Sequence, residues 1–392
     1  MFKIRTLNEI APEGLVLFNQ NYVVGETDEP DGILVRSANL LDRVFDSSLK
    51  AIARAGVGVN NIPLERCSQA GIVVFNTPGA NANAVKEIVL AGLLISSREI
   101  TDSIEWTRSL LDKGKEIPKL VEAGKSKFVG PELKGKTLGV IGLGAVGVLV
   151  ANVAHSLGMI VLGYDPYISI DNAWGLSRNV KRVLSYDELF AAADYLSLHV
   201  PYVGETKGFI NKKAIAKKKD GVRLLNFARA ELVDQVALAV ALESGKIRKY
   251  VTDFPNEEVM LMKNTISIPH LGASTPESEI NCAIMAVREL ADYLENGNIK
   301  NSVNFPDCDM GYCHGTARLA IHHQNIPGMV SAITKVLGES NVNISSMQNM
   351  SRKIWAYTLV DVDGLISSEI VDNLSKIEGV VKVRVLKGQS IH

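Results

Sequence analysis

The chain has 392 residues, of which 46% are hydrophobic and 22% charged, and its formal net charge at pH 7 is -1. These values are typical of a globular protein with two or three domains, and they give no electrostatic reason to expect nucleic acid or an acidic membrane as a partner. No uncharged apolar stretch is long enough to span a membrane, and the first residues lack the apolar core of a signal peptide. We therefore expect a soluble, cytoplasmic protein.

The first 96 residues alternate short apolar strands with helical patterns. Three of the predicted turns carry polar groups at strand ends. Arg36 and Ser37 come directly after one strand, Arg54 opens the second turn, and the third turn covers residues 76–85. Open α/β sheets bind ligands at the carboxyl ends of their strands, so the two arginines could hold an anionic substrate. The alternative interpretation is that both arginines are solvated surface charges.

A glycine-rich turn follows the next apolar strand. Gly142, Gly144 and Gly147 have GxGxxG spacing, and an Ala/Val-rich helical pattern comes after them. In a dinucleotide-binding motif the first glycine allows the sharp turn, the second lets the backbone approach a pyrophosphate, and the third lets the helix pack against the strand. A second apolar run ends at Asp165, whose carboxylate can accept both ribose hydroxyls and would repel a 2′-phosphate. The sequence therefore predicts an NAD site, with NAD preferred over NADP.

Three groups with catalytic potential follow the next strands of the predicted parallel sheet. Arg229 comes after the strand 221–227, Asp253 and Glu258 end or follow the strand 250–254, and His270 follows the strand 265–268. Histidine titrates in the range of a general acid/base, a carboxylate would orient its ring, and an arginine can bind a substrate carboxylate and polarise a carbonyl. Each residue alone is more often structural. Their joint placement at strand ends favours hydride transfer between NAD and a 2-hydroxy acid.

The C-terminal part has a different pattern. Residues 296–315 show little periodicity and are predicted to form a linker, whereas the βαββαβ pattern that begins at Thr316 is typical of a ferredoxin-like module. The cysteines are Cys67, Cys282, Cys308 and Cys313, and the histidines closest to the last two are His314, His322 and His323. Four cysteines are too few for a disulfide framework, and the Cys/His spacing does not match a structural zinc site, so we expect free thiols and no metal.

On these motifs the chain resembles the D-isomer-specific 2-hydroxyacid dehydrogenases. GLGAVG with Asp165, NFARA, DFPNEE and IPHLGASTPES stand in the family's order, and the segment from Thr316 to Leu386 resembles the ACT module of one branch. The resemblance implies a Rossmann-like doubly wound NAD-binding domain inserted in a flavodoxin-like substrate-binding domain, plus a C-terminal ferredoxin-like ACT domain. The implied boundaries are 1–96 and 272–300 for the substrate-binding domain, 97–271 for the NAD-binding domain, 301–315 for the linker and 316–392 for the ACT domain.

The resemblance also implies roles for single residues. Arg229 would bind and polarise the substrate, His270 would transfer the proton, and Glu258 would orient His270, although the adjacent Glu257 leaves the acid's identity open. The implied cofactor-binding residues are Gly142, Gly144, Ala145, Val146, Gly147, Asp165, Pro201, Thr206, Phe227, Ala228, Arg229, Asp253, His270 and Gly272. The implied substrate-binding residues are Arg36, Ser37, Arg54, Gly58 and Asn81.

The implied reaction is the oxidation of 3-phospho-D-glycerate with NAD. The alternatives are a dehydrogenase for glycerate, hydroxypyruvate or 4-phosphoerythronate, and a non-catalytic corepressor that senses NAD(H). The segment HHQNIPGM resembles the effector loop of serine-sensing ACT domains, with His323, Asn325 and Asn343 as ligands of L-serine. The alternative for this module is that it only oligomerises the chain, and we expect a homodimer or a homotetramer.

Overall fold

The computed structural model describes residues 1–388, so the last four residues of the predicted C-terminal module lie outside the described residues. The chain forms two compact units. One contains Met1–Asn81 and the chain from Pro276 onward, and the other is Ala82–Thr275. Among the described residues, no helix has both the length and the apolar character needed to cross a bilayer.

The first unit begins with a five-stranded parallel sheet in the order β2-β1-β3-β4-β5. The elements up to residue 81 are β1 (Phe2–Leu7), α1 (Pro12–Leu15), β2 (Tyr22–Val24), β3 (Gly32–Val35), β4 (Ala51–Arg54), α2 (Leu64–Gln69) and β5 (Val73–Phe75). This is the flavodoxin-like strand order, as predicted. Val35 pairs with Arg54 in register, so the turns after β3 and β4 emerge at the same edge of the sheet.

The second unit contains a seven-stranded parallel sheet in the order β12-β11-β10-β9-β6-β7-β8. Its elements are α3 (Ala82–Ser97), α4 (Ile100–Arg108), α5 (Ile117–Gly124), β6 (Thr137–Ile141), α6 (Ala145–Ser156), β7 (Ile160–Tyr164), α7 (Ile170–Gly175), β8 (Lys181–Arg182), α8 (Tyr186–Ala192), β9 (Tyr195–Leu198), α9 (Lys212–Ala216), β10 (Val222–Asn226), α10 (Gln235–Glu243), β11 (Ile247–Thr252), α11 (Glu257–Leu261) and β12 (Thr265–Ser267). This is the Rossmann order extended by one strand, which confirms the predicted doubly wound domain. The strand order reverses between β6 and β9, where such sheets bind ligands.

Helix α3 belongs to the second unit. Its Val85, Val89 and Leu93 are buried in the same core cluster as residues of the seven-stranded sheet, and Gly92 lets α3 approach Leu225 so closely that a Cβ would lie 3.0 Å from that side chain. The second unit therefore begins at the start of α3 and ends at Thr275, whereas the predicted boundaries were 96/97 and 271/272.

The chain returns to the first unit at Pro276. The remaining elements are α12 (Pro276–Asn296), β13 (Ala317–Gln324), α13 (Met329–Glu339), β14 (Asn343–Arg352), β15 (Trp355–Asp363), α14 (Ser368–Ser375) and β16 (Val380–Lys387). The four strands form an antiparallel sheet in the order β14-β15-β13-β16. This is the predicted ferredoxin-like βαββαβ arrangement.

The segment predicted as a linker, 301–315, is packed into the first unit. Phe305 and Cys308 are buried in a core cluster shared by the parallel sheet, α12 and the antiparallel sheet. The Asn304 side chain accepts a hydrogen bond from the Val74 amide at 2.8 Å and donates to the Ile72 carbonyl at 2.9 Å. The predicted linker is thus a packed segment, and its irregular backbone leaves no periodic pattern in the sequence.

The antiparallel sheet also supplies hydrogen-bond donors to the end of α12. Arg384, Arg318 and Tyr357 donate to four backbone carbonyls within 293–297, over distances of 2.7 to 3.3 Å. The last carbonyls of a helix have no partner within the helix and need one elsewhere. The C-terminal sheet is therefore an integral part of the first unit.

Candidate active site

The glycine turn between β6 and α6 has the geometry of a dinucleotide-binding loop. Gly142 has φ +89°, and a Cβ there would lie 2.6 Å from the carbonyl oxygen of His199. A Cβ on Gly147 would lie 2.0 Å from the carbonyl oxygen of Gly142, whereas one on Gly144 would meet no atom within 4 Å. Gly142 and Gly147 are thus required for packing, and Gly144 leaves open space at the N-terminus of α6, where Ala145 and Val146 present free amide groups to a phosphate.

Asp165 is fixed beside this turn at the end of β7. Its Oδ2 accepts a hydrogen bond from the Leu143 amide and its Oδ1 from the Tyr167 amide, both at 2.8 Å. A carboxylate oxygen can accept more than one hydrogen bond, so both oxygens retain acceptor capacity. The carboxylate is held where a ribose diol can bind it.

The loop after β9 is closed by Thr206. The Thr206 hydroxyl accepts a hydrogen bond from the Val203 amide at 2.9 Å and donates to the Pro201 carbonyl at 2.8 Å. The two predicted cofactor residues Pro201 and Thr206 therefore lie in one rigid turn at the carboxyl edge of the sheet.

His199 also lies at this edge, and the sequence analysis did not select it. Its Nε2 is 2.8 Å from the Ser197 hydroxyl, and burial lowers its pKa to about 4, so the ring is neutral at physiological pH. Its position at the end of the predicted strand 195–199 was the available signal. Its backbone carbonyl packs against Gly142, where a Cβ would lie 2.6 Å from the carbonyl oxygen.

The loop that carries Arg229 is organised by Asn226, a buried residue that the sequence analysis also missed. The Asn226 amide group donates to the Arg229 carbonyl at 2.8 Å and accepts from the Ala228 amide at 3.2 Å. Phe227 is buried between them, whereas the Arg229 side chain is exposed. The loop thus presents Arg229 to solvent from a fixed backbone.

Asp253 is a buried carboxyl group at the end of β11. Its Oδ2 accepts a hydrogen bond from the Gly272 amide at 3.1 Å, and its Oδ1 has no hydrogen-bond partner. Burial raises the pKa of Asp253, against the opposing effects of the Gly272 amide and of the positive charges on His270 and Arg229. Arg229, Asp253 and His270 are therefore electrostatically linked, and an acceptor atom is left for a ligand.

His270 is exposed, and its ring centroid lies 4.9 Å from that of Phe254. Among the described residues, no hydrogen bond or ion pair joins Glu257 or Glu258 to His270. Both glutamates lie in the first turn of α11 and are exposed, and Glu258 lines a surface cavity of about 620 Å³ together with α10. The predicted contact between Glu258 and His270 is therefore absent from the described structure, and the role of Glu258 stays a prediction.

In the first unit, Asn8 builds the turn that carries Arg36 and Ser37. Asn8 has φ +85°, and its Oδ1 accepts hydrogen bonds from three successive amides, those of Arg36, Ser37 and Ala38, at 2.8 to 3.3 Å. The sequence analysis missed Asn8 because strand β1, whose end it marks, was not assigned. The side chain fixes the direction in which Arg36 leaves the sheet.

Arg54 lies next to Arg36. Its Nε donates to the Arg36 carbonyl at 2.9 Å, and a Cβ on Gly58 would lie 3.0 Å from Arg54 Nη1, so this position favours glycine. Asn81 is half-buried at the end of the following turn. Two arginines therefore stand side by side at the carboxyl edge of the five-stranded sheet.

The three predicted effector residues lie in the C-terminal module: His323 on β13, Asn325 on the loop that follows β13, and Asn343 at the start of β14. His323 is buried, with Nδ1 2.8 Å from the Gln324 carbonyl and Nε2 2.8 Å from the Thr358 hydroxyl. Asn325 donates to the Lys353 carbonyl at 3.2 Å, and Asn343 donates to the Asp363 carboxylate at 3.1 Å. In this arrangement both ring nitrogens of His323 are already used inside the sheet.

The four cysteines are unpaired and buried. Across the described part of the chain, no three His, Cys, Asp or Glu side chains come together as metal ligands. Cys308 instead contacts Gln348, and His322 contacts the Tyr293 hydroxyl at 3.0 Å.

A reversal of strand order with an open glycine turn, a carboxylate fixed beside that turn and an exposed histidine defines the class: this is an NAD-dependent dehydrogenase. The family model for "D-isomer specific 2-hydroxyacid dehydrogenase, NAD binding domain" matches residues 93–272. D-3-phosphoglycerate dehydrogenase of Haemophilus influenzae is 35% identical over 84% of this chain and 79% of its own length. The chain belongs to the D-isomer specific 2-hydroxyacid dehydrogenase family.

Other relatives agree with this assignment. D-3-phosphoglycerate dehydrogenase of Bacillus subtilis is 32% identical over 78% of this chain, and the alignment spans 59% of that longer protein. NAD+-bound 3-phosphoglycerate dehydrogenase of Entamoeba histolytica superposes with a TM-score of 0.58 at 28% identity, covering 77% of this chain and 98% of that one. D-mandelate dehydrogenase of Rhodotorula graminis, at 23% identity and a TM-score of 0.64 over 76% of this chain and 96% of its own, shares the fold. The predicted NAD cofactor and dehydrogenase fold are confirmed.

Proposed function

We propose that this enzyme oxidises 3-phospho-D-glycerate to 3-phosphooxypyruvate with NAD, the reaction that opens L-serine synthesis. The observation that carries the proposal is the pair of arginines at the edge of the first sheet, joined by the hydrogen bond from Arg54 Nε to the Arg36 carbonyl. Two arginines on neighbouring turns of one sheet edge suit a phosphate dianion better than the neutral end of glycerate. The relatives named D-3-phosphoglycerate dehydrogenase support the same substrate.

The second unit offers a group for each part of NAD. The N-terminus of α6 would hold the pyrophosphate, Asp165 the adenosine ribose, and the unpartnered Oδ1 of buried Asp253 would accept a hydrogen bond from the carboxamide. Pro201, Thr206, Phe227, Ala228 and Gly272 would line the same edge. When bound, the nicotinamide ring accepts the hydride that leaves C2 of the substrate.

Arg229 and His270 would act on the substrate itself. The exposed Arg229 guanidinium would bind the substrate carboxylate and polarise the developing carbonyl. His270 would take the proton of the C2 hydroxyl as the hydride leaves, so that one hydroxy acid and one NAD+ yield one oxo acid, one NADH and one proton. A carboxylate would hold the imidazole ring and stabilise its charged form, a role the resemblance gives to Glu258.

The test is NADH formation, followed at 340 nm, from a panel of 2-hydroxy acids. We expect 3-phospho-D-glycerate to be used with the highest kcat/KM, ahead of D-glycerate and 4-phospho-D-erythronate. Preference for either competitor would change the substrate assignment. The absence of turnover with every acid, together with NADH binding, would favour the alternative of an NAD(H)-sensing corepressor.

We further propose L-serine as an effector of the C-terminal module. Asn325 lies on an exposed loop and Asn343 on an exposed strand end, so both can reach a ligand, whereas His323 would have to release its internal partners first. Dehydrogenase activity measured with added L-serine tests this: inhibition at millimolar concentrations is expected. A lack of inhibition would favour a module that only oligomerises the chain.

The remaining proposals concern assembly and compartment. We expect a homodimer or homotetramer, which analytical ultracentrifugation of the full chain can establish. We expect a cytoplasmic location, because all four cysteines are buried free thiols of the kind that a reducing compartment maintains.

A further inference from the structure

Arg36 already has an anionic partner within the first unit. Its Nη2 donates to Oε1 of Glu279 at 2.5 Å, and Glu279 lies in the first turn of α12, 243 residues further along the chain. The Arg36 side chain is 47% exposed and that of Glu279 44%, so an anion from solvent can reach the pair. The guanidinium proposed to bind the substrate phosphate is thus neutralised by a carboxylate of the same unit.

The surroundings make this contact part of the arginine cluster. Arg54 is held against the Arg36 backbone, and the charges of Arg36, Arg54 and Glu279 all act on the thiol of Cys282, one turn further along α12. Two guanidinium groups and the Glu279 carboxylate therefore gather where the N-terminal part of α12 meets the edge of the five-stranded sheet. A phosphate that binds Arg36 must therefore displace the Glu279 carboxylate from the guanidinium or bind beside its negative charge.

We propose that Glu279 is an internal competitor for Arg36, which occupies the guanidinium until a phosphorylated substrate displaces it and so weakens the binding of phosphorylated substrates. The proposal rests on the proposed function, since it assumes that Arg36 binds the substrate phosphate. Exposed ion pairs are weak, so a phosphate dianion with several acceptor oxygens can replace the carboxylate. A neutral hydroxyl cannot, because it offers Arg36 too little in exchange for the lost charge pair.

Glu279 therefore lowers the affinity for every substrate that must use Arg36, and leaves those that cannot use it unaffected. A non-phosphorylated acid such as D-glycerate would bind through Arg229 alone and leave the Arg36–Glu279 pair intact. Selectivity for phosphorylated substrates then depends on the binding free energy of the phosphate at Arg36 and Arg54, less the free energy needed to break the Arg36–Glu279 ion pair.

The test is the variant Glu279→Gln in the full-length enzyme. We expect the KM for 3-phospho-D-glycerate to fall about two- to fivefold, the range of one exposed ion pair, with kcat and the KM for NAD unchanged. The inhibition constant of inorganic phosphate, the simplest anionic probe of Arg36, should fall by a similar factor. The KM for D-glycerate should not change.

Glu277→Gln is the matched control, because Glu277 is an exposed carboxylate of the same helical turn. It should leave all five constants at their wild-type values, and thermal unfolding should show that both variants fold. A rise in KM for 3-phospho-D-glycerate in Glu279→Gln would mean that Glu279 orients Arg36, and an unchanged KM that it does not compete; either result overturns the proposal. A wild-type enzyme that does not oxidise 3-phospho-D-glycerate at all would overturn the proposed function as well.

Discussion

The imidazole of His270 needs a carboxylate to hold it, and three acidic residues are candidates. Asp253 is buried and its charge is linked to that of His270, whereas Glu257 and Glu258 lie in the first turn of α11 without a contact to the ring in the described structure. The resemblance favours Glu258, because its spacing from Asp253 fits the family. Because it is buried and electrostatically linked to His270, Asp253 is a third candidate for the carboxylate that holds the imidazole.

Glutamine substitution separates the two glutamates. We expect Glu258→Gln to lower kcat about ten- to a hundredfold and to shift the pH profile of kcat/KM, because the imidazolium loses its counter-charge. Glu257→Gln should leave both nearly intact. The reverse result would move the role to Glu257, and intact activity in both variants with a loss in Asp253→Asn would move it to Asp253.

Some residues of the candidate site could be predicted from the sequence and others could not. Arg36, Asp165, Arg229 and His270 could be chosen because their side chains carry chemistry and follow recognisable strands. Asn8 and Asn226 could not, since an asparagine that accepts hydrogen bonds from the backbone of a turn looks like any other asparagine in the sequence. His323 was predicted as an effector ligand because of its motif, and it lies on β13, seven of whose eight residues are buried.

At the scale of elements, the turn between β6 and α6 separates a glycine needed for packing from one needed for the cofactor. Gly144→Ala adds a methyl group to open space, so we expect the free energy of unfolding to change by at most about 1 kcal/mol while the KM for NAD rises. Gly147→Ala places a methyl group 2.0 Å from the Gly142 carbonyl and should destabilise the protein by about 3 kcal/mol or more.

Chemical unfolding combined with NADH titration measures both effects. Each variant adds one methyl group to the same turn, so each is the control for the other. Equal loss of stability in both, or wild-type NAD binding by Gly144→Ala, would contradict the assignment of the open space to the pyrophosphate.

Helix α12 carries a buried carboxyl group outside the proposed site. Glu289 accepts a hydrogen bond from Asn301 at 2.7 Å, its Oε2 has no partner, and burial raises its pKa from 4.5 to about 8. Between these two values the folded chain keeps a proton that the unfolded chain releases, so the free energy of unfolding falls as the pH rises from about 4.5 to 8.

Glu289→Gln removes this dependence while preserving the side-chain shape. We expect the variant to match the wild type near pH 5 and to exceed it by about 2 kcal/mol or more at pH 8, measured by urea unfolding. The exposed Glu277→Gln on the same helix should show no such divergence. Parallel stability curves for wild type and Glu289→Gln would show that the carboxyl titrates normally in the folded protein.

The elements themselves were largely predictable. The strands β3, β6, β7 and β10 coincide with predicted apolar runs to within about two residues, because buried parallel strands give continuous apolar segments. The packing of the predicted linker 301–315 could not be predicted, since its buried Phe305 and Cys308 follow no helical or strand period. Such irregular core segments can be recognised only from their tertiary partners.

At the scale of the whole molecule, the C-terminal sheet is built into the first unit. Tyr357, Leu359 and Leu386 share a core cluster with Ile4 of the parallel sheet, and Arg384 donates to the last carbonyls of α12. We therefore expect a chain that ends at residue 315 to lose the fold of the first unit, seen as aggregation or rapid proteolysis of residues before 82.

A milder variant keeps this prediction testable if the shortened chain cannot be produced. Arg384→Met removes the buried hydrogen bonds to the Tyr293 and Leu294 carbonyls of α12 and should lower the free energy of unfolding by about 2–4 kcal/mol in the full-length protein. A shortened chain with a folded first unit, or an Arg384→Met protein of wild-type stability, would mean that the sheet is a detachable module.

His270, which follows β12, is expected to exchange the proton that accompanies hydride transfer from 3-phospho-D-glycerate to NAD. The most direct measurement compares NADH formation by the wild type, by His270→Asn, and by His155→Gln, which alters a half-buried histidine near the end of α6. We predict that kcat falls about 10²- to 10⁴-fold in His270→Asn while NADH still binds, and that His155→Gln behaves like the wild type. Full turnover by His270→Asn would show that His270 is not the acid/base. No NADH from this substrate with the wild type would show that 3-phospho-D-glycerate is not the substrate.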